Sequence, residues 1–261
     1  MTTAKQDLKK FQNNGYITLK NFISKKDKID IINVIYNSFY PHIKLTGKKK
    51  FSVESKEFSK KLLLLRKKNP KKFGDIYDKF RLNARLRSIF YKKKFLNVFS
   101  KILNTETENI FLNGFMLRLD APNDKRNALD WHQDSSYYLM SHPKYNAGVC
   151  WVAITKNSKK NGTLIFIPET NKFMEKTKDN KKNAFFSDQK KIKISNIELK
   201  NKKNLNQSFG DVSFLHMHLK HRSGFNSSQK FRITLACRFH DMSSSFNTGK
   251  EIYKYNKKIK V

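Results

Sequence analysis

Residues 210–240 read GDVSFLHMHLKHRSGFNSSQKFRITLACRFH, and this block decides the fold class. Runs at 211–215, 216–221 and 231–239 read as β-strands, with a polar turn around Ser223 and Gly224. Three histidines precede that turn: His216, His218 and His221. His216 and His218 sit two apart and would share one face of a strand, so they could hold a metal such as zinc with another ligand. His221 directly precedes the turn and lies eleven residues before Arg232. In a hairpin that separation sets an arginine near a metal ligand, and a guanidinium inside a barrel needs an anion such as a carboxylate. An outward-facing strand charge is the plain alternative for Arg232.

The complementary stretch is Trp131-His132-Gln133-Asp134. Side chains two apart in an extended segment emerge on the same face, so His132 and Asp134 can reach one ion while Gln133 points away. With a downstream histidine, for which His221 is the candidate, they complete a two-His, one-carboxylate set. Such a set leaves three positions open on Fe(II) for a co-substrate and O2.

Outward from these two stretches, the strand signals continue at 110–119, 148–155, 163–167 and 192–199. Before residue 109 the periodicity is helical. A short helix at 7–14 carries Leu8 and Phe11 and stops at Gly15, and residues 16–19 alternate as a strand. Ser24 caps a helix whose stripe is Ile29, Ile32, Ile35 and Phe39. Asn69 before Pro70 caps another, carrying Phe73, Ile76, Tyr77 and Phe80, and Phe90, Phe95, Val98, Phe99 and Ile102 give helix up to Asn104. Helices followed by antiparallel strands make an α+β chain, and the strand number suits a double-stranded β-helix, a jelly-roll or cupin-like barrel. We expect one domain over 1–261: a mostly helical layer at 1–108, a β-barrel core at 109–241 and a basic tail at 242–261. The Lys-rich segment 169–191, with Phe173, Phe185 and Phe186, is either an excursion or a lid over a site.

Lys and Arg number 55 against 21 Asp and Glu, a net charge of +34. The lysines are spread in pairs and triplets along the chain, as a codon bias toward Lys, Asn and Ile would leave them, and no single helix or strand concentrates them. A nucleic-acid partner is therefore not expected, although a basic nucleic-acid-binding protein on a non-catalytic barrel is the alternative to an enzyme. No membrane-length apolar run and no signal-peptide pattern is present, so the expected compartment is the cytoplasm. Cys150 and Cys237, in apolar strand-like segments, read as buried free thiols.

The ordered set of His132-X-Asp134, Asn161-Gly162, Ile167-Pro168, Gly210-Asp211, His221-X-Ser223-Gly224-X-Asn226 and Arg232 resembles the phytanoyl-CoA dioxygenase family of Fe(II) and 2-oxoglutarate-dependent oxygenases. The opening FQNNGYITLKNFISKKD, residues 11–27, is similar to that family's N-terminal segment. The resemblance implies His132, Asp134 and His221 as iron ligands and Arg232 as the partner of the distal carboxylate of 2-oxoglutarate, assisted by Ser223. It aligns Met116 and Trp151 with positions lining the co-substrate pocket, where ordinary core packing is the other reading. A serine in a turn also commonly bonds its own backbone. The family's Gly-Ser-His after the proline is here Glu169-Thr170-Asn171, a departure on the substrate side. The implied reaction is hydroxylation of a small molecule with O2, releasing succinate and CO2; Asp134 occupies the position a halogenating relative would leave to halide. Substrate contacts are expected from the loops carrying Lys125, Arg126, Tyr137 and Tyr138, whose basic and aromatic groups suit an anionic or sugar-bearing molecule. A solvated loop charge is the alternative for Arg126.

Overall fold

The computed structural model describes residues 5–43, 53–125, 128–137, 146–179 and 190–243. Arg126, Tyr138, Phe185, Phe186 and nearly all of the 242–261 tail lie outside the described residues.

Helix boundaries follow their capping chemistry. Helix α1 (Lys5–Asn14) ends at Gly15, whose φ of +79° admits a left-handed residue and whose N–H returns to Phe11 O at 2.8 Å. Strand β1 (Tyr16–Leu19) follows, then α2 (Lys25–Phe39), capped by the Ser24 hydroxyl accepting from Asp27 N. The buried stripe of α2 is Ile31, Ile35 and Phe39, whereas Ile29 is 49% exposed. A strict i, i+4 spacing ending on Phe39 fixes that phase, and Ile29 falls outside it. Helix α3 (Lys56–Lys68) leads into α4 (Pro70–Lys79), where Asn69 caps Lys72 N and Pro70 opens the first turn. A short α5 (Ala84–Ser88) precedes α6 (Lys93–Leu103), which ends on Asn104 with φ +51°.

The sheet strands are β2 (Ile110–Asp120), β3 (Ala147–Ala153), β4 (Ile165–Phe166), β5 (Lys178–Asp179), β6 (Lys190–Lys191), β7 (Lys203–Asn204), β8 (Val212–His216), β9 (His221–Arg222) and β10 (Arg232–Asp241). Every pairing is antiparallel, in a five-stranded sheet ordered β1-β8-β3-β10-β2, a three-stranded sheet β7-β4-β9, and a β5-β6 pair. Alternate side chains of the five-stranded sheet serve different layers. Cys150, Val152, Phe214, Ile233, Leu235, Cys237 and Phe239 join the helices in one core. Val149, Trp151, Leu215 and Ala236 point the other way and pack against Leu164 and Phe166 of the small sheet.

Two strand expectations change. Residues 192–199 form no strand over their length: Ser195 and Glu198 make a reciprocal capping box that starts the helix α7 (Asn196–Lys200). Residues 216–221 break between β8 and β9, where Leu219 N closes a turn on His216 O. The expected hairpin between His221 and Arg232 is also absent, because β9 and β10 belong to different sheets and Arg232 pairs with Asp120 of β2. The polar connection between them crosses from one sheet to the other. Cys150 and Cys237 face each other across β3 and β10, buried and free.

The helix-to-sheet core is aromatic. Phe239 stacks on Phe99 at 4.4 Å, and a Cβ on Gly148 would fall 2.3 Å from the Phe239 ring, so only glycine fits there. Phe239→Ala should cost ~3–5 kcal/mol in urea denaturation, whereas Phe173→Ala, at a side chain 74% exposed, should change stability by no more than ~0.5 kcal/mol.

Candidate metal centre

His132 and His221 are joined through their backbones: His132 N donates to His221 O at 2.9 Å and His221 N to His132 O at 3.0 Å. Such a reciprocal pair sets two side chains directly opposite on one face. The imidazole centroids are accordingly 4.2 Å apart. Asp134, two residues on from His132, begins a 3-10 turn, and its Oδ1 lies 3.7 Å from His132 Nε2 and 3.8 Å from His221 Nε2. All three side chains are buried, and their candidate ligand atoms lie within 4.8 Å of one another.

The tautomers suit a metal. His132 Nδ1 donates to Asp130 O at 2.6 Å and His221 Nδ1 to Leu219 O at 2.8 Å, which leaves each Nε2 lone pair facing the common centre. Burial, with His132 beside it, pushes His221 down to about 4, so its imidazole is neutral at physiological pH. Burial raises the Asp134 carboxyl, but Arg238 and the two imidazoles outweigh it and hold the group well below the usual carboxylate range. The rival pair does not assemble: among the described residues, the only such gathering of metal-binding side chains is His132, Asp134 and His221. His216 Nδ1 instead accepts from His218 N at 3.0 Å.

Arg232 is 2% exposed and therefore not an outward charge. It projects into the space between the sheets, bonds to Asp120, and leaves its buried Nε without a hydrogen-bond partner. Thr234, the next residue on that face, also has a buried hydroxyl with no partner. Two such atoms on one face of β10 fit an acidic guest. Arg118 completes the cluster, 3.0 Å from Asp120 Oδ1 and with its guanidinium 5.6 Å from the Trp151 ring. Ser223 accepts from Leu129 N at 3.1 Å and lies 3.5 Å from Arg118 Nη2, at the edge of this cluster. Met116 and Trp151 both line the inter-sheet space. Tyr137 sets its ring edge-on to His132 at 5.6 Å.

The match to family models is decisive. Residues 11–234 match the phytanoyl-CoA dioxygenase (PhyH) model. The chain belongs to the PhyH family. It is thereby a 2-oxoglutarate-dependent oxygenase that uses iron. No curated protein matches it significantly. Solved structures share this chain's fold at low identity. EvdO2 from Micromonospora carbonacea var. aurantiaca, complexed with 2-oxoglutarate, is 12% identical at a TM-score of 0.64 over 92% of each chain. The epimerase SnoN, in complex with Fe3+, α-ketoglutarate and nogalamycin RO, is 14% identical at a TM-score of 0.62, over 92% of this chain and 84% of SnoN. EctD from S. alaskensis with bound Fe is 13% identical at 0.60, over 92% and 78%.

Gln133, expected only to point away from the ion, has a part of its own. It does leave the metal face, but into the protein: its amide donates to Phe173 O at 2.7 Å and His218 O at 2.5 Å, and its carbonyl accepts from Glu175 N at 2.7 Å. Farther along, Ile192 N bonds Trp131 O and Tyr137 Oη bridges Lys190 N and O. The two described ends of the 169–191 segment are thus fastened to the stretch that carries His132 and Asp134. No local pattern marks Gln133 for this part, because its partners Phe173, Glu175 and His218 lie far along the chain.

Two outcomes follow. Gln133→Ala should leave the Glu175 amide unpaired and raise its hydrogen-exchange rate by at least ~5-fold, the equivalent of about 1 kcal/mol. For pH, burial pushes His216 and His240 down to about 3, as it brings His221 to about 4. An unfolded chain takes up these protons from about pH 6.5 downward, so the metal-free protein should lose stability as pH falls from 6.5 to about 4, on the order of 3 kcal/mol for His221 alone. Asp134, whose carboxyl is also held down in the folded state, shifts stability in the same direction but only at lower pH, below the ordinary carboxylate range. Urea midpoints across that window, with His221→Gln flattening the slope, check it.

Proposed function

We propose that this chain is a hydroxylase of a small, anionic molecule, built as one oxygenase domain on a double-stranded β-helix. The observation that carries the reading is the buried His132, Asp134 and His221 cluster with each Nε2 and Asp134 Oδ1 turned to one point. These residues would hold Fe(II). Bound iron would couple the decarboxylation of 2-oxoglutarate by O2, giving succinate and CO2, to oxidation of a substrate C–H bond.

The protein's own part is positional. Arg232 would anchor the distal carboxylate of 2-oxoglutarate, with Thr234 donating beside it and with Arg118 and Ser223 completing the polar wall. Met116 and Trp151 would flank the co-substrate and keep water from it. Support for an anion at Arg232 comes from its buried, unpartnered Nε. On the substrate side, Tyr137 stands against the His132 ring, and Arg126 and Tyr138 are proposed with it. A cytoplasmic setting agrees with two buried thiols left free. A basic nucleic-acid-binding scaffold would account for the charge but not for three buried ligand groups with matched tautomers. No helix of the described residues is long and apolar enough to cross a membrane.

Incubation with Fe(II), ascorbate, O2 and 2-oxoglutarate should release succinate slowly without substrate, and Arg232→Met should raise KM for 2-oxoglutarate at least ~30-fold, the cost of about 2 kcal/mol for removing one partner of a buried charge pair. Unchanged KM in Arg232→Met would contradict the assignment. Arg126→Ala should impair turnover of the identified substrate while that uncoupled release persists; equal loss of both would remove Arg126 from the substrate site.

A further inference from the structure

The two oxygens of Asp134 are in different surroundings. Oδ1 faces the two imidazoles at 3.7 and 3.8 Å, whereas Oδ2 lies 3.3 Å from Nη2 of Arg238. Arg238 is itself 5% exposed, and its other arm, Nη1, donates to Gly114 O at 2.9 Å. That carbonyl is available through an irregularity of β2. Ala236 pairs with Met116 but Arg238 with Asn113, so Gly114 and Phe115 together stand opposite Cys237, and Gly114 has φ +57°. A bulge of this kind re-aims the backbone locally. A rigid planar fork reaches the carbonyl and the carboxylate from two separate nitrogens in fixed geometry, whereas a lysine would have to serve both from one atom.

Resting on the metal-site reading above, we infer that Arg238 is a positioning residue that reserves Oδ2 of Asp134, so that the carboxylate meets the metal through Oδ1 alone. A carboxylate free to turn could offer both oxygens and occupy one of the three positions that co-substrate and O2 require. Arg238 acts through Asp134, with the Gly114 bulge as its support, and needs no contact with substrate.

Co(II) binding to the metal-free protein, measured by chelator competition and by visible absorption, tests this without turnover. Arg238→Met should weaken Co(II) ~10–100-fold, the range for losing an outer partner of a metal ligand, and should change the ligand-field spectrum as the carboxylate mode changes. Arg238→Lys, which keeps the charge and folds most easily, should show the same spectral change with a smaller loss of affinity. In an Asp134→Ala background, Arg238→Met should cause no further loss, since nothing remains to position. Equal losses in both backgrounds, or an unaltered spectrum and affinity in Arg238→Met and Arg238→Lys, would overturn the inference while leaving the metal site standing. Wild-type protein that fails to bind Co(II), or Asp134→Ala that binds as well as wild type, would overturn both.

Discussion

The paired backbone hydrogen bonds between His132 and His221 are the constraint on which the rest of the structure depends. They join segments far apart in sequence and leave the two imidazoles facing one point, with Asp134 brought in by the two-residue offset of an extended chain. Each neighbouring element holds that pair in place. Phe166 of β4 registers with His221 on one side, Ile192 bonds to Trp131 on the other, and Ser135 N reaches Met217 O from beneath. The remaining family motifs are scaffold. Gly162, with φ +78°, packs so closely on Asn226 that a Cβ would meet its N at 2.6 Å, and the Asn226 amide ties Asp120 O to Lys230 O at the entrance to β10. Asp211 gathers Lys20, Asn21 N and Ser208 N and so fixes the early strand to β8.

Strand β10 shows what this arrangement costs. It is buried along its whole length, yet it alternates: Ile233, Leu235, Cys237 and Phe239 turn to the helices, while Arg232, Thr234, Arg238 and His240 turn inward. Polar alternation usually marks a half-solvated strand. Here the second face lines a site, and two guanidinium groups are held out of water against Asp120 and Asp134. Desolvating such charges rarely adds net stability, so their retention points to use in binding and chemistry.

That distinction marks how far the sequence could be read. The shared face of His132 and Asp134, the capping residues Ser24 and Asn69, and the change from helical to strand periodicity near residue 109 were legible because each is a local signal. The family resemblance singles out Arg232, and the structure buries it against Asp120, but without the expected hairpin: the chain crosses between sheets at 223–231, which no local pattern encodes. Residues 192–199 misled because Ile192, Ile194 and Ile197 suggest strand, while the Ser195 and Glu198 capping box that prevails is a pair of side-chain bonds. Ile29 failed through a phase error within a correctly placed helix. Gln133, Arg238 and Thr234 escaped notice because their roles arise from what lies across the fold: the Phe173 and Glu175 backbone, a bulge carbonyl, and a buried wall beside Arg232.

The central claim is that one buried cluster binds iron and presents it to 2-oxoglutarate. Anaerobic addition of Fe(II) and then 2-oxoglutarate to the metal-free protein tests it most directly, through the weak visible charge-transfer band of a chelated keto acid. The wild type should show that band, and His132→Ala should lose it. Folded, iron-loaded wild-type protein that shows no band, or His132→Ala protein that retains it, would rule out this cluster as the iron and keto-acid site.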